Sequence, residues 1–69
     1  MKPGELLRRL RRFAKDRRLD IEISEGKNHA KVKLGGRRSV VGRHTGDLKT
    51  GTMRGILKQL GVSPKDIEE

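Results

Sequence analysis

No cysteine occurs in this 69-residue chain, which excludes disulfides, iron–sulfur clusters and thiolate zinc sites. Two histidines without a thiolate make a poor zinc site. Glu22, Glu25 and Asp47 lack the clustering that a two-metal centre needs, so no metal and no other cofactor is expected. Aromatic side chains are nearly missing as well. Phe13 is the single one, and it falls among apolar residues at helical spacing, so there is no exposed platform on which bases could stack. Any nucleic acid must then be held through phosphates and 2′-hydroxyls. No apolar run is longer than two residues, as in Leu6-Leu7 and Val40-Val41, whereas a membrane span needs about 20. Arg8, Arg9, Arg11 and Arg12 break up the stretch where a signal peptide would carry its apolar region. A soluble, cytoplasmic protein that avoids membranes is the expectation. The glycines are not followed by the Lys-Ser/Thr pair of a phosphate-binding loop.

What the chain has in excess is positive charge. Eighteen Lys and Arg stand against nine Asp and Glu, a formal net charge of +9. Such a field draws polyanions and raises their encounter rate, and nucleic acid, with its regular phosphates, is the most common one. A membrane surface, an acidic protein partner and plain solubility are the competing explanations of the same charge. The length allows one domain, residues 1–69. A chain of this size buries only roughly 60% of its unfolded surface, so the core is thin.

Periodicity orders the elements. Leu6, Leu7, Leu10, Phe13 and Ala14 recur at helical spacing, and Pro3 and Glu5 suit a first turn. The pattern predicts a helix from about Gly4 to Lys15, its other face carrying Arg8, Arg9, Arg11, Arg12 and Lys15. Leu19, Ile21 and Ile23 alternate with Asp20, Glu22 and Ser24, a half-buried strand over Leu19 to Glu25 whose acids form the solvated face. Gly26-Lys27-Asn28 has turn chemistry. A second strand follows, with Ala30, Val32 and Leu34 inward and His29, Lys31 and Lys33 outward. Gly35-Gly36 closes a hairpin, since both positions tolerate positive φ, and Arg37 to Val41 forms the third strand. A two-residue loop there puts Val41 inward, and a three-residue loop puts Val40 inward. Beyond a polar loop from Gly42 to Lys49, Asp47 or Thr50 is placed to cap a helix with Met53, Ile56, Leu57 and Leu60 on one stripe. Gly61-Val62 matches a glycine-terminated helix end, and Ser63-Pro64-Lys65-Asp66 matches the start of a short C-terminal helix. The expected fold is therefore α+β: a three-stranded antiparallel sheet in the order α-β-β-β-α, two helices covering one face and a basic face left open. This order resembles that of the double-stranded-RNA-binding domain.

Only His29 and His44 titrate near neutrality by residue type. With a two-residue Gly35-Gly36 loop, Leu34 pairs with Arg37 and His29 falls opposite Gly42, with His44 two residues further on. Two imidazoles at one end of a basic sheet could flank a phosphate. Metal-free RNA cleavage needs such groups: one takes the proton of the ribose 2′-hydroxyl, another protonates the leaving 5′-oxygen, and Lys or Arg stabilises the phosphorane. General acids and bases work best with pKa values near the working pH, each contributing about 10²–10⁴-fold. His29 and His44 are the candidate acid/base groups or phosphate contacts. Lys27, Lys31, Lys33, Arg38, Arg43 and Lys49 are the candidate RNA contacts, with Lys49-Thr50-Gly51-Thr52 opening a helix whose free N–H groups suit phosphate. Equally, both histidines could be ordinary surface residues of a non-catalytic RNA-binding module. A DNA-binding helix-turn-helix is disfavoured, because a hairpin separates the two helices.

Asn28-His29-Ala30-Lys31-Val32 and the stretch Gly42-Arg43-His44-Thr45-Gly46-Asp47-Leu48-Lys49-Thr50-Gly51-Thr52-Met53-Arg54-Gly55-Ile56-Leu57-Lys58-Gln59-Leu60-Gly61 resemble the HicA toxins of bacterial toxin–antitoxin pairs. That family carries a Gly-Ser-His or Gly-Gly-His turn, a Pro-x-His-x-x-x-Leu-x-x-Gly-Thr stretch and a helix reading Ile-Leu-Lys-Gln-x-Gly. The resemblance implies the double-stranded-RNA-binding-domain-like fold, mRNA cleavage that inhibits translation, and neutralisation by a HicB-like antitoxin. It places the family's catalytic histidine on His29 and a second histidine on His44. Here Gly42 stands where proline is usual, Lys27-Asn28 where small residues precede the histidine, and Val32 where an aromatic is common. Arg17-Arg18-Leu19-Asp20 replaces a Gly-aromatic strand opening.

Overall fold

In the computed structural model, which describes residues 1–42 and 46–68, the elements are α1 (Pro3–Arg17), β1 (Ile21–Glu25), β2 (His29–Leu34), β3 (Arg37–Gly42), α2 (Thr50–Leu60) and a one-turn 3₁₀ helix (Pro64–Ile67). The strands form one antiparallel sheet in the order β1-β2-β3. This is the expected α-β-β-β-α arrangement. No helix among the described residues is long and apolar enough to cross a membrane.

The hairpin between β2 and β3 sets the register. Gly35 and Gly36 have φ of 54° and 90°, values that a side chain would strain and that a two-residue hairpin turn requires. Leu34 pairs with Arg37, which carries Ala30 opposite Val41 and His29 opposite Gly42. Strand side chains alternate between faces, so Ala30, Val32, Leu34 and Val41 all turn inward. Each is at most 3% exposed, whereas Val40 is 50% exposed. The two-residue alternative is the one realised.

Both helices cover this inward face. Leu6, Leu7, Leu10, Phe13 and Ala14 of α1 and Ile56, Leu57 and Leu60 of α2 join the strand residues in one core. Ser39 is the buried polar residue of the sheet, and its hydroxyl donates to the Gln59 side-chain oxygen at 2.6 Å, tying β3 to α2. The 3₁₀ helix is clamped to α1 by three contacts. The Arg17 guanidinium meets the Asp66 carboxylate at 3.1 Å, Arg9 donates to the Ile67 carbonyl at 3.3 Å, and Ile67 is buried.

Three expectations are corrected. Helix α1 runs from Pro3 to Arg17, longer than Gly4 to Lys15, and β1 starts at Ile21 and not at Leu19. One cause accounts for both. The Leu19 N–H is bonded back to the Ala14 carbonyl and the Arg18 N–H to that of Lys15, so these residues close the helix, and Leu19 is left 42% exposed. Helix α2 ends in the same way, with Val62 bonded to Leu57 and Gly61 to Lys58, the paired bonds of a left-handed helix end. At α2 the left-handed residue is Gly61 (φ 73°), but at α1 it is Arg18 (φ 56°), a conformation that costs a residue with a Cβ about 1–2 kcal/mol. At the start of α2, neither Asp47 nor Thr50 is the cap. Lys49 holds that position, without a side-chain hydrogen bond. The preceding loop is instead fixed by the Leu48 N–H, which donates to the Met1 carbonyl at 2.7 Å.

The register makes a sharp prediction, because a one-residue slip would exchange the two faces. Val40→Lys changes thermal stability by no more than about 0.5 kcal/mol, the range of ordinary surface substitutions. Val41→Lys buries an unpaired ammonium and abolishes the cooperative unfolding transition. Equal losses in the two variants would show that the register is wrong.

Candidate active site

Among the described residues no helix covers the sheet's second face, and the register arranges its side chains in rows. Glu22, Lys33 and Arg38 form one row across the three strands, and Ser24, Lys31 and Val40 the next. His29 ends the face, opposite Gly42, which presents no side chain beside it. Successive residues on one face of a strand lie about 6.5–7 Å apart, so Lys31 is the nearest outward neighbour of His29 along β2. The rows are electrostatically unequal. Glu22 faces Lys33 directly, and opposite charges in that relation attract. Lys31 sits between the uncharged Ser24 and Val40, so its charge acts on the groove beside His29 with less local compensation.

The turn before β2 brings in the remaining groups. Gly26 donates its N–H to the His29 carbonyl at 2.8 Å, narrowing the hairpin to the pair Lys27 and Asn28. A Cβ at Gly26 would lie 3.1 Å from that same carbonyl oxygen, so the missing side chain allows the approach that anchors His29's backbone. Ser24, Gly26, Lys27, Asn28, His29 and Lys31 line one groove. A broader groove of about 920 Å³ crosses the middle of the sheet and contains Ser24, Lys31, Lys33, Arg38 and Val40. Ser24 and Lys31 belong to both, so the two form a continuous path from the imidazole across all three strands.

The exposed His29 is thus brought together with Lys27 and Lys31, and Lys33 and Arg38 extend the same basic face. Lys49 is exposed at the start of α2 and lines neither groove. Arg43 and His44 lie outside the described residues. Ser24 and Asn28 were not among the candidates from sequence. Alternation alone placed Ser24 outward, but only the pairing of β1 with β2 sets it beside Lys31. Among the described residues no group of three or more His, Cys, Asp or Glu is placed to hold a metal ion. The groove offers one imidazole for proton transfer, two ammonium groups for phosphate charge, and a hydroxyl and an amide for hydrogen bonds.

Neither a family model nor a solved structure matches the chain. Three curated proteins do. It is 46% identical over 44 residues to a probable mRNA interferase HicA of Escherichia coli O157:H7, covering 62% of this chain and 76% of that protein. The same figures hold for a probable mRNA interferase toxin HicA of Escherichia coli strain K12. A probable mRNA interferase HicA 1 of Photorhabdus laumondii is 40% identical over 43 residues, covering 61% of this chain and 75% of that protein. With this identity over three quarters of such relatives, the chain belongs to the HicA family.

Proposed function

We propose that this protein is the toxin of a toxin–antitoxin pair, an mRNA interferase that cuts RNA without a metal ion, with His29 as general base. The observation that supports this most directly is the position of His29, exposed at the end of the open face in a groove shared with Lys27 and Lys31. In the proposed reaction the His29 imidazole removes the proton of a ribose 2′-hydroxyl. The 2′-oxygen forms a bond to the adjacent phosphorus, and the bond from phosphorus to the 5′-oxygen breaks. The 5′-oxygen leaves with a proton from a second group, for which His44 is the candidate, and the products are a 2′,3′-cyclic phosphate and a 5′-hydroxyl. Lys31 and Lys27 stabilise the added negative charge on the phosphorane, a role in which preorganised cations contribute most. Lys33 and Arg38 hold neighbouring phosphates along the sheet.

Purified protein is expected to cleave single-stranded RNA in EDTA. His29→Ala lowers the rate by at least about 10²-fold and leaves the circular dichroism spectrum unchanged. The wild-type pH–rate profile carries an inflection that the variant lacks. RNA that is retained but stays intact with wild-type protein would identify a non-catalytic binding module instead.

The close approach at Gly26 gives a separate test of the site's geometry. Gly26→Val pushes the turn away from the His29 carbonyl, moves the His29 amide resonance more than that of any residue in α2, and lowers cleavage while the protein stays folded. An unmoved His29 resonance would show that the contact does not position it.

A basic active face is silenced most directly by an acidic partner of complementary potential, so a HicB-like antitoxin is the proposed regulator. The product of the neighbouring reading frame is expected to co-purify with the chain and to compete with RNA for it. Simultaneous binding of both would refute occlusion of this face.

A further inference from the structure

The largest share of positive charge does not lie on the face that carries His29. Residues 1–18 contain eight Lys and Arg and two acids, six of the nine net positive charges, and most of them belong to α1. At 3.6 residues per turn, Arg8, Arg11 and Lys15 fall within about 60° of one another on the side of α1 opposite its buried stripe. Both acids, Glu5 and Asp16, lie on the other flank. There Asp16 shares a groove with Arg9, Arg12 and Asp66, and Glu5 meets Arg9 at 3.1 Å and, more distantly, Arg8 of the stripe at 3.9 Å. The stripe of Arg8, Arg11 and Lys15 is exposed and is continued by Arg18 just past the helix end.

Arg18 supplies a second, independent observation. It adopts the left-handed conformation that the matching end of α2 assigns to Gly61. A residue held in a disfavoured conformation where glycine would serve points to a use for its side chain, and this side chain adds a cation to the stripe. The stripe's chemistry also narrows the ligand. Leu6 and Leu10 are fully buried and Phe13 is 8% exposed, so α1 has no apolar face to lay into a membrane and no apolar centre for a protein interface. Guanidinium forks without aromatics suit phosphates held without base contacts.

A route connects this stripe to His29. Arg8 and Arg11 line a groove with Gly4, Leu7 and Glu25. Glu25 pairs with Ala30, the residue after His29, across neighbouring strands, and strands lie about 4.8 Å apart. The end of β1 is thus the short way round from the open sheet face to α1.

We propose that Arg8, Arg11, Lys15 and Arg18 form a second RNA-backbone site, which grips phosphates of the same strand a few nucleotides from the one at His29. The proposal rests on RNA being the substrate, as read above, but not on cleavage by His29. Glu25 is the acid in the connecting groove, and its charge opposes the bound strand.

Binding is measured by fluorescence anisotropy in the His29→Ala background, so that RNA stays intact, using a 20-nucleotide and a 4-nucleotide single-stranded RNA. Arg11→Gln combined with Lys15→Gln is expected to weaken binding of the 20-mer by 10-fold or more, and to change that of the 4-mer by less than 2-fold. The slope of log affinity against log salt falls by roughly 1.4, about 0.7 for each lost single-strand contact. Arg54→Gln combined with Lys58→Gln removes the same charge from exposed positions on α2 and is expected to leave the slope unchanged. Arg18→Gly raises the unfolding temperature by a few degrees and yet weakens 20-mer binding about 3-fold, a combination that a structural role would not produce. Glu25→Gln tightens 20-mer binding. In the otherwise wild-type enzyme the α1 pair raises KM for the 20-mer and leaves kcat unchanged. Equal effects of the α1 and α2 pairs, equal effects on both RNA lengths, or weakened antitoxin binding with unchanged RNA binding would each overturn the proposal. RNA that binds in this length-dependent way but is never cut by wild-type protein would sustain it and refute the nuclease reading alone.

Discussion

Two glycines decide which side chains of the sheet enter the core and which line its open face. Positive φ at Gly35 and Gly36 permits a two-residue connection, and that connection fixes Leu34 opposite Arg37. Every assignment of face in β2 and β3 follows from this pair, because side chains alternate without exception along a regular strand. One register places Ala30, Val32, Leu34 and Val41 in the core and His29, Lys31 and Lys33 outside. The other register would leave His29 on the same strand face but exchange Val41 for Val40 in the core and turn Arg38 inward in place of Ser39, whose hydroxyl bonds Gln59. The thin core makes that difference decisive: a domain of this size has only a few kcal/mol of net stability, and an unpaired guanidinium turned into the core is not offset by the exchange of one valine for another.

The same arithmetic explains why the molecule relies on tertiary clamps at its ends. With neither a disulfide nor enough apolar residues for a large core, the 3₁₀ helix is held by a mixture of Ile67 burial, the Arg17–Asp66 ion pair and the Arg9 bond to a backbone carbonyl. Arg17 also lies over the Phe13 ring at 5.1 Å. The exposed ion pair contributes little by itself. Its value is directional: it orients the turn so that Ile67 and Val62 complete the core under α1 and α2. The one aromatic ring is thereby committed to structure and is not available to bind bases.

Most of the architecture was legible in the sequence, because its signals were strong and mutually consistent. The 3.6-residue stripes of α1 and α2, the alternation in β2 and the paired glycines all point to the same layers. Only the register had to be decided between two geometries. The boundary after α1 was missed for a definite reason. Leu19 continues the alternation of Ile21 and Ile23, so pattern alone assigns it to β1. What removes it is Arg18 in a left-handed conformation, where no glycine announces a helix end. The α2 cap was missed for a related reason. Asp47 and Thr50 have capping chemistry, but the hydrogen bond from Leu48 to the Met1 carbonyl, a contact across the whole sequence, decides the approach to that helix. In the candidate groove, alternation placed His29 and Lys31 outward and turn chemistry placed Lys27 beside them, whereas Ser24 joins them only when β1 is paired with β2 and Asn28 through the turn that the Gly26 bond narrows.

The distribution of charge ties these points to function. A protein that stacks bases can take much of its affinity from one or two aromatic side chains and remain near neutral. This chain has its only aromatic in the core, so the RNA binding proposed for it would come from many phosphate contacts, each weak in salt. Cations are accordingly spread over two surfaces that meet at the end of β1, one carrying the imidazole and the other carrying none. Phosphate contacts set the position of a strand without reading its sequence. On the proposed reading, selectivity for particular RNAs would come from how readily a strand bends around that end with one ribose seated at His29. Flexible, unpaired segments meet that demand at lower energetic cost than stacked or paired ones, so the nuclease proposed above would act in unstructured regions of a message.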